Sequence, residues 1–408
     1  MKNCIVAQSG GPTVAINASL AGIVSSVMKS GEYGTIFGSV NGITGIIEHR
    51  IMNLSEVCED EETIDILKTS PSMYLGSCRY KLPSYEQDKE IYVKIFQTFE
   101  QFNIGAFFYI GGNDSMDTVY KLSQYAKNIN SDVRIIGVPK TIDNDLCATD
   151  HTPGFGSAAK YVATSMLEIS HDTYIYNLKS VTIVEVMGRD AGWLTAATVL
   201  ARNEYSEAPH LIYLPEVTFD CVQFIEDLRK LLKTKDSVIV AVSEGIRNYD
   251  GEYISANSKT TDQFGHSQLS GVGKYLEMLV KEELGVKVRS IELSVLQRCA
   301  AHLASDTDIE EAFTLGQVAV DYSLDHMTGV MVTMKRISNE PYQITYGYAP
   351  IEGIANEAKS VPLQWINEAG NDVTLEMIEY LKPLIHGETI VQYHKGLPRY
   401  MNVEHLFR

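Results

Sequence analysis

The 408-residue chain is 45% hydrophobic, enough to bury a substantial core in two or three domains. Its 52 acidic and 34 basic residues leave a formal net charge of −18. That argues against sequence-independent binding to nucleic acid or to an anionic membrane, where basic patches carry the affinity.

Strand-like apolar runs alternate with helical patterns along most of the chain. Cys4–Ala7 reads as a first strand, and Gly10-Gly11-Pro12-Thr13 turns into a helix starting near Ala15. A second strand is expected at Thr35–Val40, and the acidic run Glu59–Glu62 reads as a solvated loop or a helix start. Apolar residues at a period near 3.6 predict a helix over Lys89–Phe102. Strand, glycine turn and helix recur over Phe107–Tyr125, and Arg134–Val138 reads as the next strand, followed by a helix over Ala158–Ile169. Later strands are expected at Val181–Met187, Leu211–Leu214, Val238–Val242, Arg289–Leu293 and Val330–Met334. Such continuous apolar strands between helices indicate parallel sheets covered on both faces, and there are too many for one sheet. The tail from Pro341 to Arg408 is too apolar for disorder and is expected to pack on the second domain or on a partner subunit.

The six cysteines are scattered without CxxC spacing, so neither a disulfide framework nor a zinc site is expected, and reduced thiols in the cytoplasm are. No run of about 18 apolar residues predicts a spanning helix. MKNCIVAQSGG leads straight into a strand and a turn, with no signal segment expected.

Three glycine-bearing or charged turns follow strands in the first 145 residues: SGGPT at 9–13, GGNDS at 111–115 and GVPKTIDND at 137–145. Each alone is weak, since a glycine turn is as often only a tight connection. Together they can converge beyond the carboxyl ends of one sheet, where ligands bind and where helix N-termini face anions. Asp143 and Asp145, two residues apart, suit a proton acceptor and a metal-side group for phosphoryl transfer to an alcohol; the plainer alternative is a turn with an Asx cap. Lys140 is the one lysine inside this motif. Arg79, Arg189, Arg289 and Arg298 supply guanidinium forks suited to phosphate, although each alone reads as readily as a surface arginine. Glu244 ends an apolar strand, where it can take a sugar hydroxyl or cap the next helix.

With these motifs in view, the chain resembles the phosphofructokinase family. SGG at 9–11, LGSCR at 75–79, GGNDS, GVPKTIDND, MGR at 187–189, SEG at 243–245 and LQR at 296–298 occur in family order, across about 290 of the 408 residues. The resemblance implies Mg²⁺-dependent transfer of a phosphoryl group to the 1-hydroxyl of fructose 6-phosphate. It implies an α/β fold of two domains, each a mostly parallel sheet covered by helices, with the site in the cleft between them. Residues 1–154 and about 297–345 would form the donor domain; 155–296 and about 346–408 would form the sugar-phosphate domain with a C-terminal extension. A homodimer or homotetramer with shared sites is implied, with no nucleic-acid or membrane partner.

Carried over residue by residue, Asp143 resembles the catalytic base, and Asp145 and Thr141 its neighbours that steady substrate and phosphoryl group. Gly10, Gly11, Gly112 and Arg79 match donor-phosphate contacts. Met187, Gly188 and Arg189 match the sugar-phosphate loop, Glu244 and Arg298 match residues holding the sugar, and Arg289 matches the 6-phosphate arginine supplied by a neighbouring subunit. Asn113 and Asp114 are the metal candidates. ATP-using members commonly carry glycine at the positions of Asp114 and Lys140, whereas pyrophosphate-using members resemble this chain at both. An aspartate fills and repels at the place of an α-phosphate, while a lysine neutralises the departing phosphate of a short donor. Pyrophosphate is therefore the expected donor, in a reversible reaction, and an Asp114–Lys140 pair would fix both side chains.

The chain departs from the family at four places. Asn113 stands where an aspartate near Mg²⁺ is common, and Val295 where ATP-using members have a histidine. Ser180 replaces an arginine that reaches into the neighbour's site, with Lys179 adjacent. Ala21 replaces an arginine that helps bind allosteric effectors in some ATP-using members, so weak or no regulation of that kind is expected. These departures leave sedoheptulose 7-phosphate open as an acceptor. Three rival readings are an ATP-dependent enzyme, a catalytically silent sugar-phosphate-binding subunit and a nicotinamide dehydrogenase. The silent subunit is disfavoured by the retention of Asp143, Asp145 and Arg189, and the dehydrogenase by the absence of GxGxxG after the first strand.

Overall fold

The computed structural model describes residues 1–254, 271–354 and 357–407. Two sheets carry the fold. In chain order their strands are β1 (Asn3–Gln8), β2 (Ile36–Ser39), β3 (Ile51–Asn53), β4 (Ile104–Gly111), β5 (Arg134–Pro139), β6 (Ser180–Val186), β7 (Leu211–Tyr213), β8 (Ser237–Ser243), β9 (Lys287–Glu292), β10 (Val330–Asn339) and β11 (Tyr342–Pro350); a small hairpin, Tyr393–His394 with Leu397–Pro398, stands apart from them. The first sheet has the order β11-β10-β5-β4-β1-β2-β3, and the second β7-β8-β6-β9. Strands β2, β1, β4, β5 and β10 are mutually parallel, with antiparallel β3 and β11 on the two edges; the second sheet is parallel throughout.

Alternation explains why the strands read as unbroken apolar runs. In β4, Ala106, Phe108 and Ile110 face the helices Ile16–Ser30 and Asp306–Leu324, while Phe107 and Tyr109 face Lys89–Gln101 and Asn113–Asn128. In the second sheet Val184 and Val186 face the helix Phe155–Tyr174, and Val181 and Ile183 face Cys221–Leu231 and Val272–Leu284. The acidic run does start a helix: the Asp60 side chain accepts from Thr63 N at 2.7 Å and caps Glu61–Thr69.

Two differences from the sequence expectation stand out. The expected strand at Val330–Met334 continues to Asn339 and turns back as β11, which carries the first sheet to Pro350, past the division expected near residue 345. Pro341 lies in the hairpin turn between the two strands, and Gly347 is tolerated because β11 is an edge strand. The remaining tail visits both sheets. Val361, Ile366, Met377, Tyr380 and Leu384 join the core of the second. Further on, Met401 N donates to Ser70 Oγ at 2.9 Å and His405 Nε2 meets Tyr74 O at 2.7 Å, on the first.

The helices Ile16–Ser30 and Asp306–Leu324 cross backbone to backbone. A Cβ on Gly22 would fall 1.9 Å from Phe313 O, and one on Gly316 would fall 2.2 Å from Ser19 O. Backbone cannot swing aside, so Gly22→Ala should destabilise the protein by about 3 kcal/mol in urea unfolding. A change within about 0.5 kcal/mol would show that the crossing relaxes freely.

Candidate active site

The carboxyl ends of β1, β4 and β5 lie side by side, because Gln8 pairs with Ile110 and Gly111 with Pro139. The chain leaves each strand into one of the three turns, so all three meet. Gly10 adopts φ +84°, and a Cβ there would stand 3.1 Å from Lys140 Nζ and 3.9 Å from Gly112 N. Only a glycine leaves that space free for a ligand. Ser77 Oγ donates to Gly10 O at 2.8 Å, which ties the Leu75–Arg79 loop to the first turn. Gly112 precedes the helix Asn113–Asn128, so the partial positive charge of that N-terminus opens into the same space.

Lys140 is 2% exposed. Its backbone N–H donates to Gly111 O at 2.9 Å, and its Nζ donates to Gly11 O at 2.7 Å. Burial pulls its pKa down to about 8, helped by the Arg298 charge and opposed by Asp143 and Asp145. The ammonium thus stands between the glycine turns and the two aspartates.

The loop after β5 folds back on itself. Thr141 N donates to Pro153 O at 3.2 Å, Thr152 Oγ1 donates to Thr141 O at 2.8 Å, and Thr141 Oγ1 accepts from Asp143 N at 3.1 Å. Burial pushes the Asp143 carboxyl well above the usual carboxylate range, and Asp145 and Glu244 push the same way against Lys140 and Arg189. Burial also raises Asp145, against its own backbone N–H and the Thr141 hydroxyl. Asn113 Nδ2 donates to Asp145 Oδ2 at 3.0 Å, and Asn113 Oδ1 is buried with no hydrogen-bond partner. A bare, buried amide oxygen on the residue hydrogen-bonded to Asp145 fits Mg²⁺, a hard cation that leaves much of its shell to water and phosphate oxygens.

Across from these turns, the carboxyl ends of β6 and β8 present Met187-Gly188-Arg189 and Glu244. Gly188 adopts φ +129°, and a Cβ there would fall 2.5 Å from Ala191 O. Glu244 Oε1 accepts from Gly188 N at 3.3 Å, Ser243 Oγ donates to Gly188 O at 2.6 Å, and Gln297 Oε1 accepts from Met187 N at 3.1 Å. Glu244 therefore braces the loop rather than capping a helix. Its carboxyl is raised by burial and lowered by Gly188 N–H, Arg189 and Arg298. Arg189 Nε is buried without a partner, so a guanidinium donor is left open. Arg298 Nη1 would lie 3.4 Å from a Cβ on Gly11, so this arginine bridges the two sides. Three cations and three carboxylates thus interact across one cleft, with an unpaired N–H on Arg189 on one side and an unpaired acceptor on Asn113 on the other.

The family model described as Phosphofructokinase matches residues 3–322. The chain belongs to the phosphofructokinase family. It is similar to a pyrophosphate–fructose 6-phosphate 1-phosphotransferase of Halomonas elongata, 40% identical over 97% of this chain and 95% of that protein. A protein of the same name from Xanthomonas campestris is 40% identical over 99% of this chain and 96% of its own. Among solved structures, a pyrophosphate-dependent phosphofructokinase from Nitrosospira multiformis superposes with a TM-score of 0.89 at 39% identity, covering 98% of this chain and 96% of that one.

Within this phosphofructokinase the cleft unites Gly10, Gly11, Gly112, Asn113, Lys140, Thr141, Asp143, Asp145, Met187, Gly188, Arg189, Glu244 and Arg298. Arg79 and Asp114 are exposed, Arg79 on the loop that Ser77 ties to the first turn and Asp114 in the first turn of its helix. The expected Asp114–Lys140 pair does not form: Lys140 spends its Nζ on Gly11 O, and Asp114 sits in the first turn of its helix, where a carboxylate suits the helix dipole. Arg289 is not brought to the cleft of its own chain. It lies three residues before the end of β9, roughly 10 Å upstream along the strand, and pairs with Asp172 at 3.2 Å. Lys179, adjacent to Ser180, is held by Leu232 O and Lys235 O and pairs with Asp236 at 3.3 Å, so it does not extend as a free arm. Ala21 is wholly buried in the first core. Three residues at the site had drawn no attention in the sequence: Asn144, Lys359 and Tyr380. Asn144 sat in plain view inside TIDND; the other two lie more than 200 positions away and carry no motif.

Proposed function

We propose that this phosphofructokinase transfers a phosphoryl group reversibly from pyrophosphate to the 1-hydroxyl of fructose 6-phosphate, giving fructose 1,6-bisphosphate and phosphate, a glycolytic step. The observation that carries the donor choice is Lys140 Nζ, buried 3.1 Å from the Cβ position of Gly10. It occupies the ground between the glycine turns and the aspartates that a longer donor would need, and it offers a positive charge to a departing phosphate. The relatives named for this reaction support the same reading.

In this reading Gly10, Gly11, Gly112 and Arg79 hold the donor through backbone N–H groups and a guanidinium. Arg189, Arg298, Glu244 and the Met187–Gly188 backbone orient the sugar phosphate. Asp143 accepts the 1-hydroxyl proton as that oxygen attacks phosphorus, while Asp145 and Thr141 fix the geometry and Lys140 neutralises the phosphate that leaves. Asn113 and Asp114 would hold Mg²⁺, which when bound neutralises charge on the phosphate oxygens. We place the enzyme in the cytoplasm; among the described residues no helix is long and apolar enough to cross a membrane. A homodimer or homotetramer would let Arg289 reach a neighbour's sugar phosphate. Exposed Tyr176 and Leu178 beside it give that face apolar surface to cover.

The test is a donor comparison on purified enzyme with fructose 6-phosphate and Mg²⁺. Pyrophosphate should support turnover and ATP little; faster turnover with ATP at comparable concentration would reject the donor.

A further inference from the structure

The two aspartates of the cleft are separated by Asn144, which is wholly buried and adopts φ +53°. Its side chain is gripped at both ends by the C-terminal extension. Asn144 Nδ2 donates to Tyr380 Oη at 2.9 Å, and Asn144 Oδ1 accepts from Lys359 Nζ at 3.4 Å. The same ammonium donates to Asp150 O at 2.6 Å and Thr149 O at 3.3 Å, so its three donors all serve one loop. The backbone N–H of Lys359 donates to Asp145 O at 2.7 Å, and Tyr380 Oη donates onward to Asp150 O at 2.9 Å.

The grip is itself anchored on the sugar side. Trp193, four residues past Arg189, donates its Nε1–H to Lys359 O at 2.9 Å. Lys359 Nζ stands 5.4 Å from the centre of the Trp193 ring, and the Tyr380 ring lies 5.3 Å from it. Glu216 Oε1 accepts both Gly192 N at 2.8 Å and Val361 N at 2.9 Å. One short stretch, Lys359–Val361, therefore holds the Asp143 loop and the Arg189 loop in a single frame. Packing alone does not call for a charged group here, because desolvating an ammonium is unfavourable and an apolar side chain would fill the space without that cost.

We propose that Lys359, together with Tyr380, is a positioning residue for phosphoryl transfer: the C-terminal extension fixes the turn between Asp143 and Asp145 by holding Asn144. The proposal rests on the reading that these aspartates carry the reaction. It does not depend on which donor is used.

The experiment compares full-length wild type, Lys359→Met and Tyr380→Phe, each assayed with whichever of pyrophosphate or ATP turns over faster, so that a wrong donor leaves the comparison intact. Circular dichroism and Trp emission report folding and docking of the extension on Trp193. Lys359→Met should lower kcat about 10²-fold with both KM values within about threefold of wild type. Tyr380→Phe, which deletes one hydroxyl, should lower kcat about three- to tenfold. Amide exchange in residues 141–150 should quicken in both. The proposal is overturned if kcat of Lys359→Met stays within about twofold while the protein is folded, or if both KM values rise in step with the loss of kcat. If Lys359→Met does not fold, Tyr380→Phe decides alone, and unchanged kcat in it overturns the proposal.

Discussion

Asp143→Asn is expected to lower kcat for fructose 6-phosphate phosphorylation by about 10³-fold, with little change in either KM. The amide keeps the size of the carboxyl, and the backbone bond from Asp143 N to Thr141 Oγ1 is untouched, so the loop keeps its shape. What disappears is the oxygen able to take the hydroxyl proton. The same substitution should leave the fold at least as stable as wild type. Asp143 is buried close to Asp145 and Glu244, and both raise its pKa by repulsion. Neutralising one of three crowded carboxyls relieves that repulsion, as when function holds a site away from its most stable state. Steady-state kinetics and a thermal melt on the same preparation test both halves. Retention of more than a tenth of wild-type kcat would remove Asp143 from the role of base.

Lys140→Met should lower kcat/KM for pyrophosphate by about 10²- to 10³-fold, the range for removing one charged donor aimed at developing negative charge. The loss has a pH signature. Burial lowers the Lys140 pKa to about 8 in the free enzyme, so its positive charge is present below that pH and fades above it. The wild-type profile of kcat/KM for pyrophosphate should accordingly fall on the alkaline side near pH 8, and Lys140→Arg, which stays charged, should push that fall upward. An alkaline limb that stays in place in an active Lys140→Arg enzyme would assign it to another group. Because Lys140 and Asp114 do not pair, the effect of adding Asp114→Gly to Lys140→Gly should be close to additive on pyrophosphate use.

Much of this architecture was readable from the residues themselves. Strands such as Arg134–Pro139 and Ser237–Ser243 are buried on both faces, so their apolar runs are continuous and hard to misplace. The turns that follow them carry the chemistry because parallel strands end together. What escaped was of two kinds. Strand β11 alternates partly exposed residues around a glycine, and only its pairing with β10 makes it a strand. Lys359 lies on an irregular segment and Tyr380 on the buried face of a seven-residue helix, and neither carries a motif that points to Asn144. Asp114 and Lys140 have opposite charges and neighbouring turns, but a nearer backbone carbonyl takes the ammonium.

The first sheet is interrupted in sequence. Strand β5 ends at Pro139 and its parallel neighbour β10 begins at Val330, with the whole second sheet lying between them. A newly made chain therefore cannot complete its first domain in order. Bringing such distant strands together from an open chain carries a loop-closure entropy of roughly 4–5 kcal/mol. A second domain already folded would hold its own two ends near each other and remove much of that barrier. Strands β1 to β5, whose ends carry the three turns, can pair before that, so β10 and β11 should be the last strands to join the first sheet.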